Sequence, residues 1–374
     1  MSDEKIKVVI SINDFLVGGA QRILADLLNR FDKDRFDFVL VTLFFWEEKE
    51  YFYELLPKDL TVHRLRFKNV YDLKSWRELY RILRSVDPDI VLSNLFFSNV
   101  VCRILKLFFR YRVVIVEHNT YVKKTKFHQL LDRILSFWTS RIVAVSPTVA
   151  TFTSHQEGIP MEKFIVIRNG VDIDRLQKEK TQSDPSRTRE EFAIPGGAPV
   201  ILAVARLTTQ KNPRLLVDGF AAFAEGNPSH VLVVVGGGGS WDATLRAQAE
   251  SLHIGNRVIL TGIQKNVARL YAIADFFVSV SAIEGFGIAH AEALCCGVPV
   301  LTTKTAGPDE MIQDGKNGFF ISESTPKAVA EGMEKMARAD RVLMQKEAET
   351  TARMYSIERS VAAYEALFRE LGGR

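Results

Sequence analysis

Short runs of β-branched and aromatic residues alternate with helical patterns along nearly the whole chain of 374 residues. In the first half, the predicted strands are KVVISI, FDFVLVTL, LTVHRL, DIVLSN, RVVIVE, RIVAVS and FIVIRN. In the second half, they are PVILAVA, HVLVVV, RVILTG, FFVSVS, VPVLTT and NGFFIS. Because parallel strands are joined by long crossover connections, usually helices, this alternation predicts parallel sheets covered by helices.

The length of the chain favours two domains, since one hydrophobic core rarely serves so many residues. Polar, Pro and Gly residues replace apolar ones between residues 173 and 198, which indicates a connection between the domains. We therefore predict an α/β protein with two doubly wound, Rossmann-like domains at residues 1–175 and 199–355, and a linker at residues 176–198. An amphipathic pattern predicts one more helix, a core-capping one, within residues 356–374.

Composition narrows the class of protein. The hydrophobic content of 47% and the charged content of 25% are typical of a soluble globular protein. The charged start MSDEKIK runs directly into a strand, so we expect no signal peptide. The cysteines Cys102, Cys295 and Cys296 have no metal-ligand spacing, and their odd number argues against a disulfide framework. We expect a cytoplasmic protein that holds no metal and no cofactor.

Positive charge is concentrated in one segment. Residues 101–141 contain nine basic residues but only two acidic ones, Glu117 and Asp132, together with several aromatic rings. This segment is either the solvated face of a helix or a surface for anionic lipid headgroups or a phosphorylated acceptor. No nucleic-acid-binding motif accompanies it, so we expect no nucleic acid. The apolar stretch at residues 91–109 is broken by charged residues and does not predict a membrane span.

The stretch EGFGIAHAE at residues 284–292 follows a predicted strand and begins a helix. Glu284 then lies on the loop and Glu292 in the helix, roughly 10 to 12 Å apart at a rise of about 1.5 Å per residue. That distance is too long for an acid and a base that act on one bond. Between them, Gly285 and Gly287 allow backbone N–H groups at the helix N-terminus to approach a phosphate. A long ligand such as a nucleotide sugar fits this arrangement.

Other chemistry-bearing residues also follow predicted strands. Arg206 and Lys211 lie on the loop ARLTTQKN, where two cations can neutralise a diphosphate. Gly18 and Gly19 precede an amphipathic helix and form either a plain turn or an anion site made of backbone N–H groups. His118 follows RVVIVE, from where it can meet a ligand, although a lone histidine is more often structural.

Three further patterns fail as ligand motifs. The run VVVGGGGSWD would need a glycine at position 241 to match the dinucleotide fingerprint, and Trp241 stands there. The pairs of aspartates at residues 172–174 and 87–89 have the spacing of some metal sites, but their positions favour loop and cap roles.

Six motifs together resemble those of the family-four retaining glycosyltransferases. They are GGAQ at 18–21, EHN at 117–119, NGVD at 169–172, RLTTQKN at 206–212, EGFGIAHAEAL at 284–294 and GPDEMI at 307–312. Their order and strand-end placement match along nearly the whole chain. The resemblance implies a GT-B fold, in which two Rossmann-like domains face each other across a cleft and the C-terminal helix crosses back to the first. The acceptor would bind mainly to the first domain and the nucleotide-sugar donor to the second.

The same resemblance implies roles for individual residues. Glu284 would contact the hydroxyls of the donor sugar, and Glu292 those of the ribose. Arg206 and Lys211 would bind the diphosphate and stabilise its departure, and His118 would contact the transferred sugar. Further substrate contacts would come from Gly18, Gly19, Asn94, Gly285, Phe286, Gly287 and Glu310.

Three residues depart from the family pattern. Ala205 replaces the usual glycine before the Arg-Lys stretch, Gln21 replaces a common glutamate, and Asn94 stands where many relatives carry histidine. Asn94 lies on the expected acceptor side, so it bears on acceptor identity. Members of this family build lipid-linked oligosaccharides, lipopolysaccharide cores, capsules and glycolipids, and the basic segment favours one of these membrane-proximal roles.

The resulting hypothesis is a retaining, metal-independent transfer of a sugar from a UDP- or GDP-sugar to a lipid-linked or polysaccharide acceptor. The transfer would serve cell-envelope glycan synthesis at the inner face of the cell membrane. One alternative keeps the fold but makes the protein an epimerase or hydrolase of the nucleotide sugar. Another is a non-catalytic sugar-binding module, which the complete set of charged residues disfavours.

Overall fold

The structure is a computed structural model that describes residues 5–16, 18–45, 52–237 and 239–372. The chain divides into two compact units. The first unit comprises Met1–Gly170 and Ile357–Arg374, and the second comprises Val171–Ser356.

The first unit is built on a seven-stranded parallel sheet. Its strands are β1 (Ile6–Ile12), β2 (Phe36–Thr42), β3 (Thr61–Arg64), β4 (Ile90–Asn94), β5 (Arg112–Glu117), β6 (Arg141–Ala144) and β7 (Phe164–Val166). Their order in the sheet is β3-β2-β1-β4-β5-β6-β7, so the direction of succession reverses between β1 and β4. The helices between them are α1 (Gly19–Leu28), α2 (Leu73–Val86), α3 (Phe96–Leu105), α4 (Lys126–Leu135) and α5 (Pro147–Glu157).

The second unit is built on a six-stranded parallel sheet. Its strands are β8 (Val200–Val204), β9 (Val231–Val235), β10 (Val258–Gly262), β11 (Phe276–Ser279), β12 (Val300–Thr303) and β13 (Gly318–Ile321). The order is β10-β9-β8-β11-β12-β13, which reverses between β8 and β11. The helices are α6 (Ile173–Thr181), α7 (Pro185–Glu191), α8 (Pro213–Ala224), α9 (Trp241–Ser251), α10 (Ala268–Tyr271), α11 (Ile288–Cys295), α12 (Ala306–Met311), α13 (Pro326–Arg338) and α14 (Arg341–Ala352).

The predicted strands and the α/β fold class are confirmed. Each of the predicted runs forms a strand, and each pairing within the two sheets is parallel. The strand β9 is buried at every position, because helices cover both faces of such a sheet. That double burial is why these strands are continuous apolar runs in the sequence and do not alternate between apolar and polar residues.

The last helix of the chain, α15 (Ile357–Gly372), belongs to the first unit. The ring centroid of Phe368 lies 5.7 Å from that of Phe31 and 5.8 Å from that of Phe36. The carboxylate of Glu365 accepts a hydrogen bond of 2.9 Å from the backbone N–H of Asp32. The amphipathic pattern near the C-terminus therefore supplies an aromatic face to the core of the first unit.

The structure differs from the prediction of a linker at residues 176–198. These residues belong to the second unit, where α6 and α7 are regular helices, and the division between the units falls at Gly170. Leu176 and Ile194 are buried, and the ammonium of Lys180 donates a 2.6 Å hydrogen bond to the carbonyl of Cys296. The segment reads as a linker because each short helix supplies few apolar side chains to the core and exposes the rest.

Asp172 caps a helix, as predicted. Its side chain accepts a hydrogen bond from the backbone N–H of Arg175 at the start of α6. Asp87 ends α2 in the left-handed conformation, with φ of 45°. The three cysteines are free and buried. Among the helices of the described residues, none combines the length and apolar character that a membrane crossing requires.

Candidate functional site

The predicted donor residues of the second unit follow its central strands. Arg206 and Lys211 come after β8, Glu284 comes after β11, and Glu310 lies on α12 after β12. The strands β8, β11 and β12 are neighbours, and the strand order reverses between the first two. Doubly wound sheets bind their ligands at the carboxyl edge beside such a reversal.

Backbone and amide hydrogen bonds hold the loop after β8 against the loop after β11. The backbone N–H of Ala282 donates to the carbonyl of Gln210 at 2.8 Å. In return, the side-chain amide of Gln210 donates to the carbonyl of Ile283 at 2.8 Å. A third bond, 3.3 Å long, runs from the amide of Asn212 to the carbonyl of Val280. These three bonds fix the loop that carries Arg206 and Lys211 against the loop that carries Glu284.

Lys211 and Glu284 form an ion pair across these two loops. The hydroxyl of Ser281 donates a second hydrogen bond, of 2.9 Å, to the same carboxylate oxygen of Glu284. Burial acts to raise the pKa of Glu284, but the nearby charge of Lys211 and these hydrogen bonds outweigh it and hold the pKa below its ordinary value. Glu284 is thus an ionised hydrogen-bond acceptor, not an acid.

Arg206 is exposed and lies on the same loop as Lys211. The residue before it, Ala205, meets the turn after β9 closely, since a Cβ at Gly236 would lie 1.8 Å from the Ala205 carbonyl oxygen. Gly236 also has φ of 133°, which side chains rarely adopt. The start of the run VVVGGGG is thus explained by close backbone approach, while Gly238 lies outside the described residues.

The glycines of the glutamate stretch shape the start of α11. Gly287 has φ of 83°, and a Cβ there would lie 2.7 Å from Nδ1 of His290. Gly285 is buried, and the buried ring of Phe286 packs edge-on against Tyr355 at 5.7 Å between centroids. Because its side chain is buried against Tyr355, Phe286 can face a ligand only through its backbone.

His290 is a structural residue. Its Nε2 forms a 2.9 Å hydrogen bond with the hydroxyl of Thr302 on β12, and its ring is buried. Burial lowers the pKa of His290 to about 4, so the imidazole is neutral at physiological pH.

Gly307 contacts the loop of the candidate donor site, and nothing in the motif GPDEMI distinguishes this glycine from an ordinary loop residue. A Cβ on Gly307 would lie 2.0 Å from the carbonyl oxygen of Phe286, so α12 can pack against the glutamate loop only with glycine here. The backbone N–H of Gly307 also points to the carbonyl of Glu284 at 3.4 Å. The loop after β12 thereby joins the two loops after β8 and β11.

The two other acidic residues of the predicted donor site lie on helices. Glu292 is in α11 and is almost buried, with its carboxylate 3.5 Å from the hydroxyl of Tyr271. Burial, followed by the charge of Glu292, raises the pKa of that hydroxyl. Glu310 is half-buried on α12, and its carbonyl accepts a 3.0 Å hydrogen bond from the hydroxyl of Tyr355.

In the first unit, Asn94 and His118 contact each other. Asn94 ends β4 and His118 follows β5, and these strands are adjacent in the sheet. Nε2 of His118 lies 3.0 Å from Oδ1 of Asn94, so the ring donates from Nε2 in this orientation of the amide. Burial lowers the pKa of His118 to about 4. The buried Nδ2 of Asn94 has no hydrogen-bond partner among the described residues, so it can donate to a ligand.

Leu95, which follows Asn94, has φ of 70°, a strained value for a leucine. Nothing in the sequence pattern indicates this strain. Strained backbone of this kind is concentrated at binding sites, and Leu95 directly follows Asn94.

The predicted glycine pair lies at the start of α1. Gly18 is the N-cap residue and has an extended backbone, and Gly19 is the exposed first residue of the helix. A Cβ on Gly18 would meet the side-chain oxygen of Gln21 at 2.3 Å. The amide of Gln21 donates a 3.1 Å hydrogen bond to Asp14, so the Gln21 side chain packs against the turn that contains Gly18.

The residue before His118, Glu117, belongs to a buried ionic cluster. It consists of two cations and three carboxylates, namely Arg103, Lys124, Glu117, Asp132 and Glu157. The acidic groups outnumber the basic ones, so burial and mutual repulsion raise the pKa values of Glu117 and Glu157. The predicted assignment of all the basic residues at 101–141 to one exposed surface is therefore wrong for Arg103 and Lys124, which are internal.

Comparisons with known proteins identify the family and the fold of this chain. Residues 17–175 match the model of Glycosyltransferase Family 4, and residues 184–354 match that of Glycosyl transferases group 1. N-acetyl-alpha-D-glucosaminyl L-malate synthase of Bacillus anthracis is 23% identical over 330 residues, which are 86% of this chain and 84% of that protein. The GDP-mannose-dependent phosphatidylinositol monomannoside mannosyltransferase of Mycolicibacterium smegmatis is 30% identical over 43% of each chain.

Among solved structures, HepE of Anabaena in complex with UDP-glucose matches 98% of this chain and all of that chain. The TM-score is 0.85 at 21% identity, which shows a common fold. Several curated relatives are matched over only about half of their length. The two family models lie one after the other and correspond to the two sheets described above. The chain therefore belongs to the family-four, group 1 glycosyltransferases, and it has the GT-B fold.

Proposed function

We propose that this chain transfers a sugar from a nucleotide diphosphate sugar to a lipid-linked or polysaccharide acceptor, with retention of anomeric configuration and without a metal ion. The observation that carries the proposal is the joined pair of loops in the second unit. There, Arg206, Lys211 and ionised Glu284 share the carboxyl edge of the sheet where the strand order reverses. This combination suits a diphosphate next to a sugar.

In the proposed donor site, Lys211 and Arg206 bind the diphosphate. An ammonium group has three donors, so Lys211 can keep its bond to Glu284 while it contacts a phosphate oxygen. The two cations stabilise the negative charge that develops as the bond to the sugar breaks, and one such donor contributes about 10²- to 10³-fold in rate. The other oxygen of Glu284 accepts hydrogen bonds from sugar hydroxyls.

The roles of Gly285, Phe286 and Gly287 in this proposal are carried by their backbone N–H groups. They precede the first turn of α11, where the helix dipole favours the negative charge of a phosphate. Glu292 would hold the ribose hydroxyls and Glu310 would support the pocket. In this proposal, Lys211 and Ser281 hold ionised Glu284 as an electrostatic partner of the donor sugar, so Glu284 is not assigned the role of the base that an inverting transfer requires.

In the proposed acceptor site, His118 and Asn94 form the polar pair. The neutral imidazole of His118 donates to Asn94 through Nε2, which leaves Nδ1 available for the hydroxyl of a sugar. The unpaired amide of Asn94 would donate to the acceptor or to the transferred sugar. Gly18 and Gly19 would offer backbone N–H groups to an anionic group of the substrate.

A lipid-linked or polysaccharide acceptor and an envelope role are supported by the basic segment and by one relative. The mannosyltransferase of Mycolicibacterium smegmatis acts on a phosphatidylinositol monomannoside, whereas the relative in Bacillus anthracis makes a malate conjugate. We therefore propose peripheral attachment at the cytoplasmic face of the membrane.

Donor turnover with and without an acceptor tests this function. Labelled UDP-glucose and GDP-mannose are incubated with the chain, alone and with glycolipids extracted from membranes. We expect transfer that depends on the acceptor, and a loss of about 10²-fold or more in Glu284→Gln. The control is Glu323→Gln, which changes an exposed glutamate elsewhere in the second unit. An anomeric configuration inverted between donor and product would exclude the retaining route.

The alternative, an epimerase or hydrolase of the nucleotide sugar, is decided in the same assay. Rapid consumption of donor without a sugar acceptor would favour it, because hydrolysis uses water in place of the acceptor and epimerisation uses the donor alone.

A further inference from the structure

The helix α4 exposes several large apolar side chains, which is unusual for a helix on a globular protein. Its exposed side carries Phe127, Leu130 and Ile134, and the same face continues through Phe137 and Trp138. Phe127 is 71% exposed and Phe137 is 80% exposed. Such helices normally direct an apolar stripe to the core and a polar one to water. We call these five residues the α4 face.

The side of α4 that points inward carries one buried apolar residue, Leu135, and one buried charged residue, Asp132. Asp132 is buried in the ionic cluster, where it pairs with Arg103 and Lys124. The helix is therefore held to the first unit partly by ion pairs, while large apolar side chains remain in solvent. An apolar patch on an exposed surface, rimmed by polar groups, is typical of an interaction site.

The rim of the α4 face is basic. Lys123, Lys126 and Arg133 are exposed around it, and Asp132, the one acidic residue between positions 118 and 141, is buried. Aromatic and aliphatic groups within a ring of lysine and arginine suit the interface of an anionic bilayer. A second copy of the chain fits less well, since a two-fold contact would bring the same cations together.

The α4 face also begins next to the proposed acceptor site. Phe96, two residues after Asn94, is exposed and meets the ring of His128 edge-on at 4.9 Å between centroids. His128 lies in the first turn of α4, and its ring is 5.8 Å from that of Phe127. Apolar rings thus lead from the polar pair of the first unit to the exposed face.

The geometry points to the α4 face as a docking surface for an anionic phospholipid bilayer. Phe127, Leu130, Ile134, Phe137 and Trp138 enter the interface, and the three exposed cations contact the headgroups. This inference deepens the proposed function and rests on its lipid-linked acceptor, which would reach Asn94 and His118 from the bilayer. Lys124 takes no part in it, because that ammonium is internal.

Co-flotation of the full chain with vesicles tests this surface. Vesicles of phosphatidylcholine alone are compared with vesicles that also contain phosphatidylglycerol. We expect binding to the mixed vesicles that decreases with added salt. Phe127→Ser combined with Phe137→Ser should reduce the partition coefficient at least tenfold. Lys123→Gln combined with Lys126→Gln should reduce it roughly 25-fold, about fivefold for each lysine.

Matched controls change equally exposed residues on the second unit. Val342→Ser with Leu343→Ser removes apolar side chains, and Lys327→Gln with Lys335→Gln removes charges. Both should bind vesicles as the unchanged chain does. All variants should keep their melting temperature and their response to whichever nucleotide sugar stabilises the unchanged chain, because none of these residues lies in the proposed donor site.

Each outcome decides the docking surface separately from the sugar transfer. The docking surface would be refuted if the chain did not bind vesicles at all. It would also be refuted if neither the phenylalanine pair nor the lysine pair weakened the binding when replaced. If size-exclusion chromatography gives a dimer that Phe127→Ser with Phe137→Ser converts to a monomer, the face is a self-association surface and the inference is wrong. In all of these cases donor turnover still reports on the proposed function independently.

Discussion

Replacement of Gly307 by alanine should disable the donor site, because the added methyl group would displace the backbone of the glutamate loop at Phe286. The added Cβ would lie 2.0 Å from the carbonyl oxygen of Phe286, whereas ordinary van der Waals contact begins at 3.4 Å. The two segments must therefore separate by about 1.4 Å. Because the obstacle is a backbone atom, no rotation of a side chain can relieve it.

The displaced loop carries the proposed sugar and phosphate contacts. A misplacement of about 1 Å in a catalytic site can cost about 10²-fold in rate, so we expect kcat/KM to fall at least that far. Overpacking of this kind destabilises a fold by about 1–3 kcal/mol, so the second unit should remain folded. Circular dichroism and urea unfolding measure this stability, and donor turnover measures the activity.

Gly196→Ala is the matched control. A Cβ at Gly196 meets nothing within 4 Å, and we expect wild-type activity and stability. If Gly307→Ala retains kcat/KM within about twofold of wild type while Gly196→Ala does the same, the glutamate loop is not held by α12 in the way described, and the account of the donor site is refuted.

The first unit supports two further predictions. Lys124→Met leaves the carboxylates of the buried ionic cluster without a central cation and should lower the free energy of unfolding by about 3–5 kcal/mol, measured by urea titration, whereas Lys123→Met at an exposed position should have no effect. Equal stability of both variants would contradict the cluster. The pKa of His118 is about 4 in the folded state, below its ordinary 6.5, so the unfolded state binds more protons between these values and stability should fall as the pH decreases from about 6.5 to about 4. His118→Asn should flatten part of that slope, and an unchanged slope would show that the imidazole is not buried in its neutral form.

The strands can be predicted from the sequence because each one is recognisable from its own residues. A strand buried on both faces, such as β9, must be apolar at every position, and a parallel sheet must separate its strands by helices. The loops after β8 and β11 could also be located, since glycines and charged residues interrupt the apolar pattern at the strand ends. What the sequence does not show is the network of bonds from Gln210, Asn212 and Ser281 that joins these loops.

Three features depend on contacts between distant parts of the chain and could not be predicted. Lys124 looks like one of several surface lysines, and only the packing of α4 and α5 shows that it is internal. The need for glycine at position 307 arises from a loop some twenty residues earlier in the chain. Residues 176–198 look like a linker because a helix with a single buried leucine is as polar as a loop in composition.

The measurement that most directly tests the central claim is the melting temperature of the chain with a panel of UDP- and GDP-sugars. A ligand at 100 times its Kd stabilises the folded state by about 2.7 kcal/mol, so at least one nucleotide sugar should raise the melting temperature of the wild type. Arg206→Gln should remove most of that shift, and Arg214→Gln, at an exposed arginine on α8, should keep it. If no nucleotide sugar raises the melting temperature, or if Arg206→Gln responds as the wild type does, then the loops after β8 and β11 are not the donor site.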